Sequence, residues 1–236
     1  MIKNGIIQSK DIYGIPFKSD LIPLTNKHAR STIKMQAKGI TIHNTGNPNR
    51  AANAKMHTEY VDNQTEYVSW HFTVDCFRIY QELPINEIAW HAGDGRGPGN
   101  MTTISIEICE NENWIKARQN GILLTVWLIE NIFKDSSATK IVYPHKHWSG
   151  KDCPHLILRE GWNKFVDEID TMRQKLHNTH VEKKDKLTWK QILKKETLQS
   201  EDWESAILKA MELSSEHQEL KIFQHADDLI QKLYYK

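Results

Sequence analysis

Two short stretches alternate isoleucine with polar residues. In "KGITIHNTG" (38–46), Ile40 and Ile42 oppose Thr41 and His43; in "MTTISIEICE" (101–110), Ile104, Ile106 and Ile108 oppose Ser105, Glu107 and Cys109. A period of two is that of a β-strand with one apolar face. "YVSWHFTVDCFRIYQEL" (67–83) predicts two more strands in a tight hairpin that turns near Asp75–Phe77. Helical spacing runs through 48–63, through the largely apolar 114–133 and through the amphipathic 159–176, with Gly121 a weak point in the second. Residues 1–37 read as an extended arm with turns, and "GDGRGPGN" (93–100) as a glycine-rich loop. The predicted fold class is α/β: a mixed central β-sheet flanked by helices, plus a small C-terminal α-helical domain.

Beyond that core, "HNTHVEKKDK" is polar and aperiodic, and two or three short amphipathic segments follow it to residue 236. The expected division is a catalytic domain over 1–178, a linker over 179–186 and a small helical domain over 187–236. Trp189, Ile192, Trp203, Ile207, Phe223 and Leu229 have the spacing of a small helical bundle. Two roles for it stay open: binding a cell wall, or packing against the first domain or a second chain.

Composition narrows the function classes. The 236 residues are 39% hydrophobic and 26% charged, with a formal net charge of +1, so nothing draws the chain to nucleic acid. No stretch approaches the ~20 apolar residues of a membrane span, and the N-terminus lacks the apolar run of a secretory signal. The expectation is a chain that is cytoplasmic at synthesis. Three widely spaced cysteines, Cys76, Cys109 and Cys153, make a poor disulfide framework and are expected as thiols.

The densest chemistry lies in "PHKHWSGKDCPH" (144–155), which carries three histidines, a lysine and a cysteine. Thiolate and imidazole are borderline-soft ligands that favour zinc, and a catalytic zinc takes three protein ligands and leaves one position open. His43, opposite the isoleucines at the end of its strand, is the candidate third ligand. If its strand and that of Glu107 are neighbours with their isoleucines on one side, the ligand lies beside a carboxylate suited to act as a base. Spacing alone leaves open which of His145, His147 and His155 joins Cys153.

Five blocks, "ITIHNTG", "SWHFTVD", "AWHAGDG", "TTISIEIC" and "HKHWSGKDCPH", resemble in order and spacing the zinc-dependent N-acetylmuramoyl-L-alanine amidases of the amidase-2 family, over about residues 20–175. That family includes phage endolysins and shares its fold with peptidoglycan recognition proteins. The resemblance implies one Zn2+ per chain held by His43, His145 (eight residues before the cysteine) and Cys153, with His147 and His155 outside the set. It implies Glu107 as general base and Lys151 as oxyanion stabiliser. Trp70, His91 and Asn100 are candidates to touch substrate, with Trp70 equally suited to the core. The implied activity is hydrolysis of the amide between N-acetylmuramic acid and the L-alanine of the stem peptide, by an endolysin that reaches the wall after holin-type or other release. The expected partner is bacterial peptidoglycan, with no nucleic acid and no membrane, and the expected state is a monomer. A non-catalytic peptidoglycan-binding protein of the same fold is the alternative; the presence of Cys153 and of Lys151 favours catalysis.

Overall fold

The computed structural model describes residues 1–134 and 136–185. The chain divides into two units, Met1–Leu176 and His177–Lys236. The expected helical domain over 187–236 lies outside the described residues.

The first 37 residues contribute more than an arm. They form β1 (Ile2–Lys3), β2 (Ile6–Ile7), β3 (Asp11–Ile12) and β4 (Ile15–Ser19). β5 (Gly39–Asn44) and helix α1 (Ala54–Asp62) follow, and then β6 (Phe72–Val74) and β7 (Ile79–Gln81). A short helix α2 (Pro98–Thr102) leads into β8 (Thr103–Ile108). Helix α3 (Trp114–Leu128) ends in a π-helical turn, Ile129–Phe133. Next come α4 (Ala138–Ile141), β9 (Val142–Pro144), α5 (Lys146–Ser149), α6 (His155–Glu160) and α7 (Trp162–Asp185). The stretch expected as a linker is helical as far as Asp185. Among the described residues, no helix is long and apolar enough to cross a membrane.

β1 and β2 form a separate ribbon, and the other seven strands form one mixed sheet in the order β3-β4-β7-β6-β8-β5-β9. β5 and β8 run parallel in a register that pairs Ile40 with Ile104, Ile42 with Ile106 and His43 with Glu107. β6 adds Phe72 beside Ile106 and Thr73 beside Glu107. The pleat therefore collects Ile40, Ile42, Phe72, Val74, Ile104, Ile106 and Ile108 on one face, all fully buried. α3 and α7 bring Leu124, Phe165 and Ile169 to the same core. Gly121 has a packing reason: a Cβ there would lie 2.6 Å from Ile108 Cδ1, so the missing side chain lets α3 sit close to the sheet.

The opposite face carries Thr41, His43, Thr73, Ser105 and Glu107, and it is polar because the site lies on it. The β6–β7 turn holds Cys76 and Phe77, a pair unsuited to a tight primed turn. Asp75 makes the turn instead: its Oδ1 accepts from the backbone N–H of Phe77 (2.7 Å) and Arg78 (2.8 Å). Its Oδ2 accepts from Ala54 N at 3.0 Å, which ties the hairpin to the start of α1.

Candidate active site

His43 and Glu107 sit near the carboxyl ends of parallel strands β5 and β8, where open α/β sheets place ligands. β9 pairs alongside β5, and a hydrogen bond from His145 N to Ile42 O (3.2 Å) carries the pairing one residue further. The chain then makes the helical turn α5 and returns, closed by a bond from Lys146 N to Cys153 O at 2.8 Å. This closure brings Cys153 beside His145. Asn44 Oδ1 accepts from Leu156 N at 3.0 Å and fastens the returning segment to the end of β5.

The result is a buried group of His43, His145 and Cys153 whose donor atoms all lie within 4.8 Å of one another. His43 Nδ1 is 3.8 Å from Cys153 Sγ and 3.7 Å from Glu107 Oε1. His145 Nδ1 and Glu107 Oε2 are buried with no hydrogen-bond partner. Buried polar atoms are seldom left unpaired without a role. Two imidazoles, one with an orphaned ring nitrogen, and a thiol so close together suit a metal ion, and the group could hold one.

Electrostatics separate the protonation states. Burial, then the charges of His91, His145 and Lys151, hold His43 well below the ordinary imidazole range. Burial, then Lys151, brings His145 down to about 4. Both rings are thus neutral, as metal ligation requires, and the approach of His43 to Glu107 is not an ion pair. Burial, with the Glu107 charge adding to it, pushes the Cys153 thiol up to about 12. Burial also raises Glu107 to about 8, against the pull of Lys151. The Glu107 side chain keeps 15% of its surface open, enough for contact with solvent. Lys151 is exposed, and its charge acts on all four groups.

The other histidines of the motif lie elsewhere. His147 is exposed and packs against Tyr143 and Trp148, with ring centroids 5.0 and 4.5 Å away. His155 faces Glu110, with Nε2 to Oε2 at 3.4 Å.

The three residues expected to touch substrate, Trp70, His91 and Asn100, are buried. Trp70 is 6% exposed, packs with Ile22, Val61 and Leu83, and donates from Nε1 to Thr73 Oγ1 at 2.7 Å. Its bulk is satisfied by the core and its one donor is used. His91 is buried with Nδ1 3.0 Å from His43 Nε2. Asn100 Oδ1 accepts from the backbone N–H of both His91 and Ala92, each at 2.8 Å. His91 and Asn100 therefore support the site from behind. Sequence reasoning missed Thr41, Thr103 and Trp148, which join this support; the only trace of them was the alternation of Thr41 with His43 and the place of Trp148 inside the histidine-rich block.

Residues 33–156 match the family model described as N-acetylmuramoyl-L-alanine amidase, which is more than half of the chain. The chain belongs to that family. It is similar to the N-acetylmuramoyl-L-alanine amidase CwlH of Bacillus subtilis (strain 168), 45% identical over 161 residues, covering 66% of this chain and 62% of the relative. The amidase XlyA of the same organism is 44% identical, with 62% of this chain and 48% of the relative covered. The match thus spans between about half and three fifths of these two relatives. The solved catalytic domain of XlyA superposes with a TM-score of 0.61 at 42% identity, covering 66% of this chain and 99% of that domain. The PlyG catalytic domain does so with a TM-score of 0.60 at 30% identity, covering 67% and 96%. The mixed sheet with flanking helices is therefore the fold of endolysin-type amidase domains.

Proposed function

We propose that the chain is a zinc-dependent peptidoglycan amidase, a phage or prophage endolysin that cleaves the bond between N-acetylmuramic acid and the L-alanine of the stem peptide. Residues 1–178 would form its catalytic domain, and release through a holin or another route would bring it to the wall. The observation that carries the reading is the meeting of His43, His145 and Cys153 within 4.8 Å beside the unpartnered carboxylate oxygen of Glu107. Family membership and relatives at up to 45% identity support the substrate class.

His43, His145 and Cys153 would hold one zinc ion; two imidazoles and a thiolate suit it, and a three-ligand set leaves a position free. Bound there, zinc supplies a Lewis acid for the scissile carbonyl and an acidified water. Glu107 takes a proton from the attacking water on its carboxylate and returns it to the leaving alanine amine. Burial holds Glu107 at about 8 in the metal-free chain; the charge of a bound cation, added to that of Lys151, would favour the ionised carboxylate that a base needs, and the exposed Lys151 ammonium stabilises the oxyanion of the tetrahedral intermediate. Burial of His43 and Cys153 keeps bulk water from competing with these contacts.

The test is digestion of purified cell wall with and without chelator, assayed for new alanine amino groups and new reducing sugar ends. The expected result is new alanine amines, no reducing ends, loss on chelation and recovery with zinc. Reducing ends without alanine amines would reject the bond assignment. Wall binding without cleavage would move the reading to a non-catalytic peptidoglycan-binding protein.

A further inference from the structure

Behind the metal-binding group lies a chain of buried hydrogen bonds whose direction can be deduced. It starts at Trp148, whose Nε1–H can only donate and lies 2.9 Å from Thr41 Oγ1. Thr41 Oγ1 is 2.7 Å from Thr103 Oγ1, a contact in which either hydroxyl could donate. The ambiguity ends at Thr103, whose hydroxyl donates to Gly99 O at 2.6 Å. Its single proton is spent there, so Thr41 donates and Thr103 accepts.

Thr103 Oγ1 also lies 3.5 Å from His91 Nε2. With its proton on Gly99 O, it can only accept from that ring. His91 therefore carries its proton on Nε2 and leaves Nδ1 bare. The 3.0 Å contact between His91 Nδ1 and His43 Nε2 then requires the proton to sit on His43 Nε2. His43 Nδ1 is left with an open lone pair, and it faces Cys153 Sγ and Glu107 Oε1.

The Asn100 carboxamide clamps the dipeptide His91–Ala92 by accepting from both backbone N–H groups, which fixes the segment that carries the His91 ring.

We infer that His91 is a positioning residue: held through its backbone by Asn100, it presets His43 in the Nε2–H tautomer, so that Nδ1 is presented to the ion before it arrives. This rests on the zinc reading above for what the preset ring holds, whereas the tautomer itself is a property of the metal-free chain. Preset tautomers spare the rearrangement that ligation would otherwise demand, and loss of such a partner typically weakens metal binding about 10- to 100-fold.

The test uses the full chain labelled with 15N-histidine. In the zinc-free protein near pH 7, two-bond proton–nitrogen spectra should show His43 as a neutral Nε2–H ring. In His91→Ala, the His43 signals should shift toward a mixture of tautomers, and zinc affinity by chelator competition should fall about 10- to 100-fold. His91→Asn places an amide oxygen near the former Nδ1 and should recover the His43 tautomer and most of the affinity. A general loss of packing would not be rescued in this way. If His91→Ala does not fold, the wild-type spectrum and His91→Asn still decide. An Nδ1–H tautomer at His43 in the wild type overturns the inference, as does an unchanged zinc affinity in folded His91→Ala. A wild type that binds no zinc would instead reject the metal reading, and the tautomer spectrum would judge the inference separately.

Discussion

Single side chains at the site are distinguished by what surrounds them rather than by type. Cys153 is a buried thiol beside two neutral imidazoles, whereas His147 is an exposed ring leaning on Tyr143 and Trp148. Cys153→Ser should therefore lower bound zinc well below one per chain and remove lysis. His147→Ala should leave zinc near one per chain by metal analysis; loss of zinc in that variant would place His147 in the ligand set. Glu107→Gln keeps the shape without the base, so zinc content should hold while turnover falls by about 10²–10⁴. Full activity in Glu107→Gln would reject the general-base role.

His71 tests the electrostatics away from the His43, His145 and Cys153 group. Its Nδ1 accepts from Ser105 N at 3.0 Å, and its Nε2 lies 2.8 Å from Glu87 O, so there is no place for a second proton. Burial brings this ring down to about 4 from an ordinary value of 6.5. A lowered histidine contributes stability that is fully present above the unfolded value of 6.5 and is lost as pH falls toward 4. The difference corresponds to about 3 kcal/mol. The His71 resonances should remain those of a neutral ring down to about pH 5; a midpoint near 6.5 would contradict this.

At the level of elements, two junctions position the site. α3 lies against β8 at Gly121, where a Cβ would meet Ile108 Cδ1 at 2.6 Å. Gly→Ala in a helix ordinarily stabilises by up to about 1 kcal/mol, but here the clash should dominate and cost roughly 1–2 kcal/mol net. Ile108→Val removes the offending methyl. The double variant should therefore lose less than the two single losses added together, as read by urea unfolding. Simple additivity would mean that the close approach is not what requires glycine. The second junction is Asp75, which holds three backbone N–H groups from the β6–β7 turn and the start of α1. Asp75→Ala should destabilise by at least about 2 kcal/mol, because buried donors lose a charged acceptor. A variant with wild-type unfolding behaviour would show that the turn closes without it.

For the whole molecule, the division after Leu176 and the solved catalytic domain of XlyA, 99% of which this chain covers, bear on how far the proposed catalytic domain extends. A chain ending at Asp185 should fold, hydrolyse soluble muropeptide at near the full-length rate and pellet more weakly with intact walls. If truncation leaves wall pelleting unchanged, the tail has no anchoring role. If it makes the protein insoluble, the tail packs against the rest.

Much of this molecule follows from local pattern. The alternation of isoleucine with polar residues dictated β5 and β8 and the faces on which His43 and Glu107 stand, because side chains in a strand alternate without exception while the pleat holds. The apolar run at 114–133 dictated a buried helix, and the family blocks pointed to the metal-binding group. The sheet's edges were not readable in the same way. β4 and β9 are short, and what makes each a strand is a neighbour far away in sequence: Phe17 opposite Ile79, and Val142 opposite Ile40. The surroundings of His91 and Asn100 were set only by the tertiary structure. A glycine-rich loop with a histidine and an asparagine reads as a rim that meets substrate; in the folded chain Asn100 holds the backbone of His91 and Ala92, and the His91 ring lies 3.0 Å from that of His43. The sense of a hydrogen bond between two rings depends on every donor and acceptor behind them, and those come from β5, α2, β8 and α5, which meet only in three dimensions.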